Sequence, residues 1–228
     1  MASRNLNGVE IRVVDEPARE AAGFLIEHAA AAGHIALSGG SAPGPAYELA
    51  AQLHPDWTGA HIWFGDDRVV PPGDSRSNYR LVRTTLLDSL SRSPEVHRVR
   101  GERPPEEAAA LYDEELDGVT LDLALNGIGP DGHTASLFPA SPALGEQERR
   151  AVAVDAALEP YVPRVTMTPR VFGETAVLVY LVTGEAKAAA VKAAFADEPS
   201  PATPASGIRG RTTIAILDAA AASLLPQG

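Results

Sequence analysis

The chain reads as an α/β protein built on an open, mostly parallel, doubly wound sheet of modified Rossmann type, with helices on both faces. Short runs rich in Val, Ile and Leu alternate with Ala-rich segments of helical spacing, the alternation expected of such a sheet. The composition agrees: of 228 residues 45% are hydrophobic and 21% charged, which fits one compact domain over residues 1–228.

Taken in order, Ile11 to Val14 is the first strand, and Asp15 caps a helix carrying Ala18, Ala21, Ala22, Leu25, Ile26 and Ala29 on one stripe until Gly33 stops it. His34 to Ser38 and His61 to Phe64 are strands, with a helix over Pro45 to Leu53 between them. Helices over Asn78 to Leu90 and Pro105 to Leu116 precede strands at Leu121 to Gly127 and Val152 to Val154. The strand Ala176 to Thr183, a helix over Gly184 to Ala196, the strand Thr213 to Leu217 and a helix over Asp218 to Leu225 complete the pattern. The Pro- and Ser-rich stretch Asp197 to Gly207 resembles a linker, but the residues after it are too few for a second domain, so it reads as a surface loop.

Charge and composition narrow the function. A net charge of -11 argues against nucleic acid or a membrane surface as partner, since both require clustered Lys and Arg. The absence of cysteine excludes disulfide scaffolds, thiolate metal sites and a cysteine nucleophile. The first residues lack a basic stretch followed by an apolar run, and no apolar stretch reaches the length of a membrane helix, so a cytoplasmic protein is expected. With no long apolar surface stripe, a monomer is expected as well.

Ligands of open parallel sheets sit at the carboxyl ends of the strands, which makes four segments informative. Ser38-Gly39-Gly40-Ser41-Ala42-Pro43-Gly44 joins a strand to a helix, where backbone N–H groups can meet a phosphate. It lacks the spacing of a nucleotide-binding P-loop and of a nucleophile elbow, so Ser41 reads as a hydroxyl donor. Gly65-Asp66-Asp67-Arg68 follows a strand and runs on to Ser77-Asn78-Tyr79. Gly127-Ile128-Gly129-Pro130-Asp131-Gly132-His133-Thr134 matches a dinucleotide fingerprint in form, with Asp155 as a possible ribose acid. Asp131 would set a carboxylate beside a pyrophosphate, Pro139 and Pro142 cut the next helix short, and the motif is not in the first strand-helix-strand unit. A nicotinamide site is therefore rejected. Asp131 and His133 instead make a supported general base. Arg164 and Lys187 form the fourth group, each near the run Ala176 to Thr183. His28, His34, His54, His61 and His97 read as structural; no two histidines share metal-ligand spacing with a carboxylate on one face, so no metal site is expected.

At these residues the chain is similar to the glucosamine-6-phosphate isomerase/6-phosphogluconolactonase family, in its lactonase branch. The resemblance covers Ser38 to Ser41, Gly65 to Arg68 with Ser77 to Tyr79, Gly129 to Pro139, Arg164 to Thr166, and Val182 to Gly184 with Lys187. It implies hydrolysis of 6-phospho-D-glucono-1,5-lactone, a small-molecule substrate, in the oxidative pentose phosphate pathway, without metal or organic cofactor. It further implies that His133 activates water, that Asp131 orients it, and that Arg68 binds substrate and steadies developing negative charge. Gly39, Gly40, Ser41, Arg164 and Lys187 would hold the 6-phosphate, and Asp66, Asn78, Gly132 and Thr134 would complete the substrate site. Ala42 stands where the family often has Thr, and Asp67 where it often has Glu. The sister deaminase pairs its ring-opening histidine with a glutamate where this chain has Phe138, which favours the lactonase branch. A phosphosugar binder without turnover is the remaining alternative, and it would have no use for the His133 and Asp131 pair.

Overall fold

A computed structural model of the chain describes residues 3–155 and 157–226. Its strands are β1 (Ser3–Leu6), β2 (Val9–Val13), β3 (His34–Leu37), β4 (His61–Phe64), β5 (Asp66–Arg68), β6 (Glu95–Val96), β7 (Leu123–Asn126), β8 (Ala151–Val154), β9 (Arg164–Met167), β10 (Val177–Val182) and β11 (Thr212–Leu217). The α-helices are α1 (Pro17–Ala30), α2 (Gly44–Leu53), α3 (Asn78–Thr85), α4 (Pro105–Glu115), α5 (Pro169–Glu174) and α6 (Ala188–Phe195).

Eight strands form the main sheet in the order β1-β2-β11-β10-β7-β3-β4-β6. All neighbours run parallel except β1 and β2, a hairpin turned by Asn7 and Gly8, both at positive φ. The sheet is open and wound in both directions from β7, as expected from the alternating pattern.

Side chains alternate across the sheet and build two cores. Ile35, Leu37, Ile62, Phe64, Leu123, Leu125, Val179 and Leu181 pack against α1, α2 and α3 on one face. Ala36, Trp63, Ala124, Leu178, Tyr180 and Val182 face the other side, where α4 and α6 share the surface with a second sheet of antiparallel strands in the order β5-β9-β8. That second sheet was not expected. The run Val152 to Val154 is a strand, but it belongs there and not to the parallel sheet.

Several boundaries differ from the sequence expectation for identifiable reasons. Pro17 begins α1, with Glu16 in place of Asp15 at the cap, because proline already holds the φ of a first helical turn. The helix expected over Asn78 to Leu90 stops at Thr85 and continues as one short 3-10 turn. Lys187 likewise lies in a 3-10 turn before α6 begins. The final expected helix, Asp218 to Leu225, is a set of turns: Asp218 spends its carboxylate on the backbone N–H groups of both Gly184 and Ala221. The segment from Asp197 to Gly207 is no linker, since Pro204, Ala205 and Ser206 are buried.

Candidate active site

The carboxyl ends of β3, β4, β7 and β10 open into one cleft. Two buried tyrosines fix where the strands end. The Tyr47 hydroxyl accepts from the Ser38 N–H and donates to the Ser38 carbonyl, and Tyr112 does the same at Phe64. Beyond these anchors the chain is free to form site loops.

After β3, Gly39 passes against the Asn78 side chain so closely that a Cβ would stand 1.9 Å from Asn78 Oδ1. Gly40 follows at a φ of 101°, which an L side chain rarely adopts. Both glycines are therefore required, and with Ser41 they line the cleft. After β4 the chain crosses through Gly65 into β5, carrying Asp66 and Arg68 to the same cleft. Asp66 is buried; it accepts from Ser136 Oγ and, at 3.1 Å, from Asn78 Nδ2. Asp67 points elsewhere. It accepts from the backbone N–H groups of Arg68, Asn78 and Tyr79 and from Ser77 Oγ, clamping the start of α3. Burial nevertheless pushes its carboxyl up to about 6.

The turn after β7 carries the Asp131–His133 pair. Asp131 Oδ1 lies 2.5 Å from His133 Nδ1 and also accepts from the His133 backbone N–H. An ionised carboxylate only accepts, so the proton sits on Nδ1 and Nε2 is left with its lone pair. Gly129 lies beneath the ring, where a Cβ would fall 2.0 Å from Nδ1, and its N–H donates to the His133 carbonyl. Phe138 stands beside the imidazole at 4.9 Å between ring centres. From below, the Ala205 N–H donates to the Gly132 carbonyl and Thr203 packs against Gly132, so the Pro-rich segment supports this turn.

Arg68, Arg164 and Lys187 also line the cleft. Among the described residues none of the three forms an ion pair, and Arg68 Nε and Arg164 Nε are buried without a hydrogen-bond partner. Arg68 donates to the Arg76 carbonyl, while Arg164 makes long contacts to the carbonyls of Leu158, Glu159 and Pro160. Burial lowers the pKa of Arg164, opposed by Asp66 and reinforced by the charge of Arg68. Burial also lowers the pKa of Lys187, with Asp131 opposing. An acidic protein thus gathers three cations without ion-pair contacts among the described residues in one cleft, an arrangement suited to an anion.

Of the residues expected at the site, Asp131, Gly132 and Thr134 do not line the cleft, and Asp131 reaches it only through His133. Gly132 turns the chain at a φ of 82°, and the Thr134 hydroxyl donates to the Gly127 carbonyl in a fully buried position. One polar lining residue escaped the sequence reading. Asn126 closes β7 with both side-chain polar atoms buried and unpaired; its signal was a lone amide ending the apolar run from Leu123 to Leu125. The structure also brings together histidines that the sequence reading kept apart. His61, Glu95 and His97 converge with their ligand atoms within 4.8 Å of one another. They come from the adjacent strand β4 and from β6 with the residue after it, so no spacing along one element reveals them.

Fold and cleft together define an open α/β class in which an Asp-supported histidine, two arginines and a lysine gather at the carboxyl ends of the parallel strands. The family model for glucosamine-6-phosphate isomerases/6-phosphogluconolactonase matches residues 12–216. The chain belongs to that family. It is 37% identical over 168 residues to a 6-phosphogluconolactonase of Haemophilus influenzae, covering 70% of this chain and 72% of the relative. It is 36% identical over 209 residues to one of Homo sapiens, covering 84% and 80%. The solved 6-phosphogluconolactonase from Trypanosoma cruzi superimposes with a TM-score of 0.83 over 100% of both chains at 26% identity. A monomeric glucosamine-6-phosphate deaminase, 18% identical with a TM-score of 0.84 over 95% of this chain and 99% of that one, shares the fold. Among the described residues no helix is long and apolar enough to cross a membrane.

Proposed function

We propose that the chain hydrolyses 6-phospho-D-glucono-1,5-lactone to 6-phospho-D-gluconate, acting as a cytoplasmic monomer that needs no cofactor for the step. The carrying observation is a histidine with a free Nε2, held by Asp131, in the same cleft as three unpaired cations. His133 Nε2 takes a proton from water as the water oxygen bonds to the lactone carbonyl carbon. The resulting oxyanion is steadied by Arg68. When the carbon to ring-oxygen bond breaks, the imidazolium returns its proton to that oxygen, so one water is consumed and His133 is regenerated.

Gly39, Gly40, Ser41, Arg164 and Lys187 hold the 6-phosphate, and this anchoring fixes the ring over His133. Asp66 and Asn78 meet the sugar hydroxyls. Gly132 and Thr134 act by shaping the catalytic turn. The sister deamination is disfavoured by Phe138, which sets a buried aromatic ring against His133 where that chemistry requires a carboxylate. A coupled assay on freshly generated lactone, run beside glucosamine 6-phosphate in the presence of a chelator, tests the reading. Turnover of the lactone alone is expected. Turnover of the amino sugar, or of neither compound, overturns it.

A further inference from the structure

We propose that His61, Glu95 and His97 bind one divalent transition ion of the zinc class at the end of β4 opposite the catalytic cleft. β6 runs parallel to β4 with Glu95 opposite His61, and His97 follows one residue beyond the strand. His61 Nδ1 and His97 Nε2 stand 3.0 Å apart, and the Glu95 oxygens lie 3.6 and 3.7 Å from these two nitrogens. Ligand atoms of a tetrahedral zinc ion, each at about 2.0 to 2.1 Å, are about 3.3 Å from one another. The three separations bracket that value.

The groups around the ligands prepare them for a metal. His97 Nδ1 lies 3.0 Å from Glu115 Oε1, on α4, so the carboxylate holds the proton on Nδ1 and leaves Nε2 bare toward His61. In the metal-free protein His61 Nδ1–H donates to that nitrogen. On binding, the His61 proton moves to its own Nε2, so that both facing nitrogens offer lone pairs. Stacking fixes both rings: His34 lies on His61 at 4.4 Å and Trp63 on His97 at 3.9 Å, with interplanar angles of 9° and 5°. His34 Nδ1 is occupied by the Trp63 indole N–H at 3.0 Å, so it is a packing partner and not a ligand. Glu95 is exposed, which leaves the fourth position to water.

The ion would tie the edge strand β6 to β4 and, through Glu115, to α4. It is thus a stabilising or regulatory ion, separate from the lactone chemistry. Untagged, chelator-stripped full chain titrated with Zn²⁺ by calorimetry is expected to take up one ion and to gain thermal stability. Cu²⁺ should quench Trp63, whose ring rests on a ligand. His61→Gln and His97→Gln should abolish uptake, and Glu115→Gln should weaken it roughly 10- to 100-fold, all three with lactone turnover like wild type. Should His97→Gln not fold, NMR of the wild-type imidazoles decides, because Zn²⁺ must shift His61 and His97 and leave His133 unmoved. Absence of stoichiometric uptake by wild type, equal affinity in His61→Gln, or Zn²⁺ shifts centred on His133 overturns the assignment.

Discussion

Arg68 and Arg164 stand directly opposite each other across the β5–β9 ladder, a like-charged pair with no acidic partner in ion-pair contact among the described residues. Such a pair is unfavourable in an isolated sheet, and Arg164 is only 3% exposed. The second sheet thus sets two positive charges side by side, and on the proposed reading a bound phosphate would relieve their repulsion. Inorganic phosphate is accordingly expected to raise the melting temperature of the wild-type protein. In Arg164→Met most of that rise disappears, and KM for the lactone climbs by about 10-fold or more, as for loss of a hydrogen bond to a charged group, with kcat little changed. Identical phosphate-induced shifts in both proteins would place the anion elsewhere.

His133→Ala is expected to lower kcat by roughly 10²- to 10⁴-fold, the range for loss of a general base. The imidazole is part-exposed and carries no core load, so the melting temperature should stay within a few degrees. Asp131→Asn leaves a side chain able to accept from Nδ1 but removes its charge, so it should cost less than His133→Ala. Steady-state kinetics on the two variants orders them. Equal losses would mean that Asp131 does more than orient the imidazole.

What was readable in the sequence depended on whether a segment's pattern arises from one element or from two. The apolar run His61 to Phe64 is a strand by composition alone, and β4 has those same bounds. Gly129 to His133 showed a histidine held by an aspartate on a glycine turn because its geometry is local. By contrast, Asp66-Asp67-Arg68 has the composition of a solvated loop. It is a strand only because β9 pairs with it and because Ser136, Asn78 and the start of α3 satisfy its carboxylates. The Arg68–Arg164 and His61–Glu95 pairings are likewise products of sheet register, and residue types and spacings do not encode register across distant strands. The Ala-rich end from Asp218 misled for the opposite reason: its composition is helical, yet so short a segment needs tertiary packing to form a helix, and Asp218 is engaged by Gly184.

Asn126 invites a substitution that separates function from fold. Its Oδ1 and Nδ2 are buried with no protein partner among the described residues, in the lining of the cleft. Asn126→Leu removes both polar atoms and continues the apolar run of β7. The variant should match or exceed wild type in stability, while kcat/KM falls roughly 3- to 10-fold through loss of a hydrogen bond to a sugar hydroxyl, worth about 0.5–1.5 kcal/mol. Unfolding curves and lactone kinetics on one preparation read both. Unchanged kinetics would leave Asn126 outside the substrate's reach.

Asp67 should leave a mark on stability as a function of pH. Its carboxyl is raised from 3.8 to about 6 in the folded protein, chiefly by burial. Below the lower value it is protonated in both states. Between the two, the folded state holds a proton that the unfolded state has released, so stability falls as pH rises, and above about 6 the full loss has occurred. A shift of about two units corresponds to about 3 kcal/mol. Other groups titrate in the same interval, so the informative quantity is the difference between wild type and Asp67→Asn, in which this proton is gone. That difference, measured by urea unfolding at successive pH values, should favour wild type most at the acidic end and shrink toward neutrality. Parallel curves would mean that the four hydrogen bonds around Asp67 hold it ionised throughout, the clamp on α3 then outweighing its desolvation.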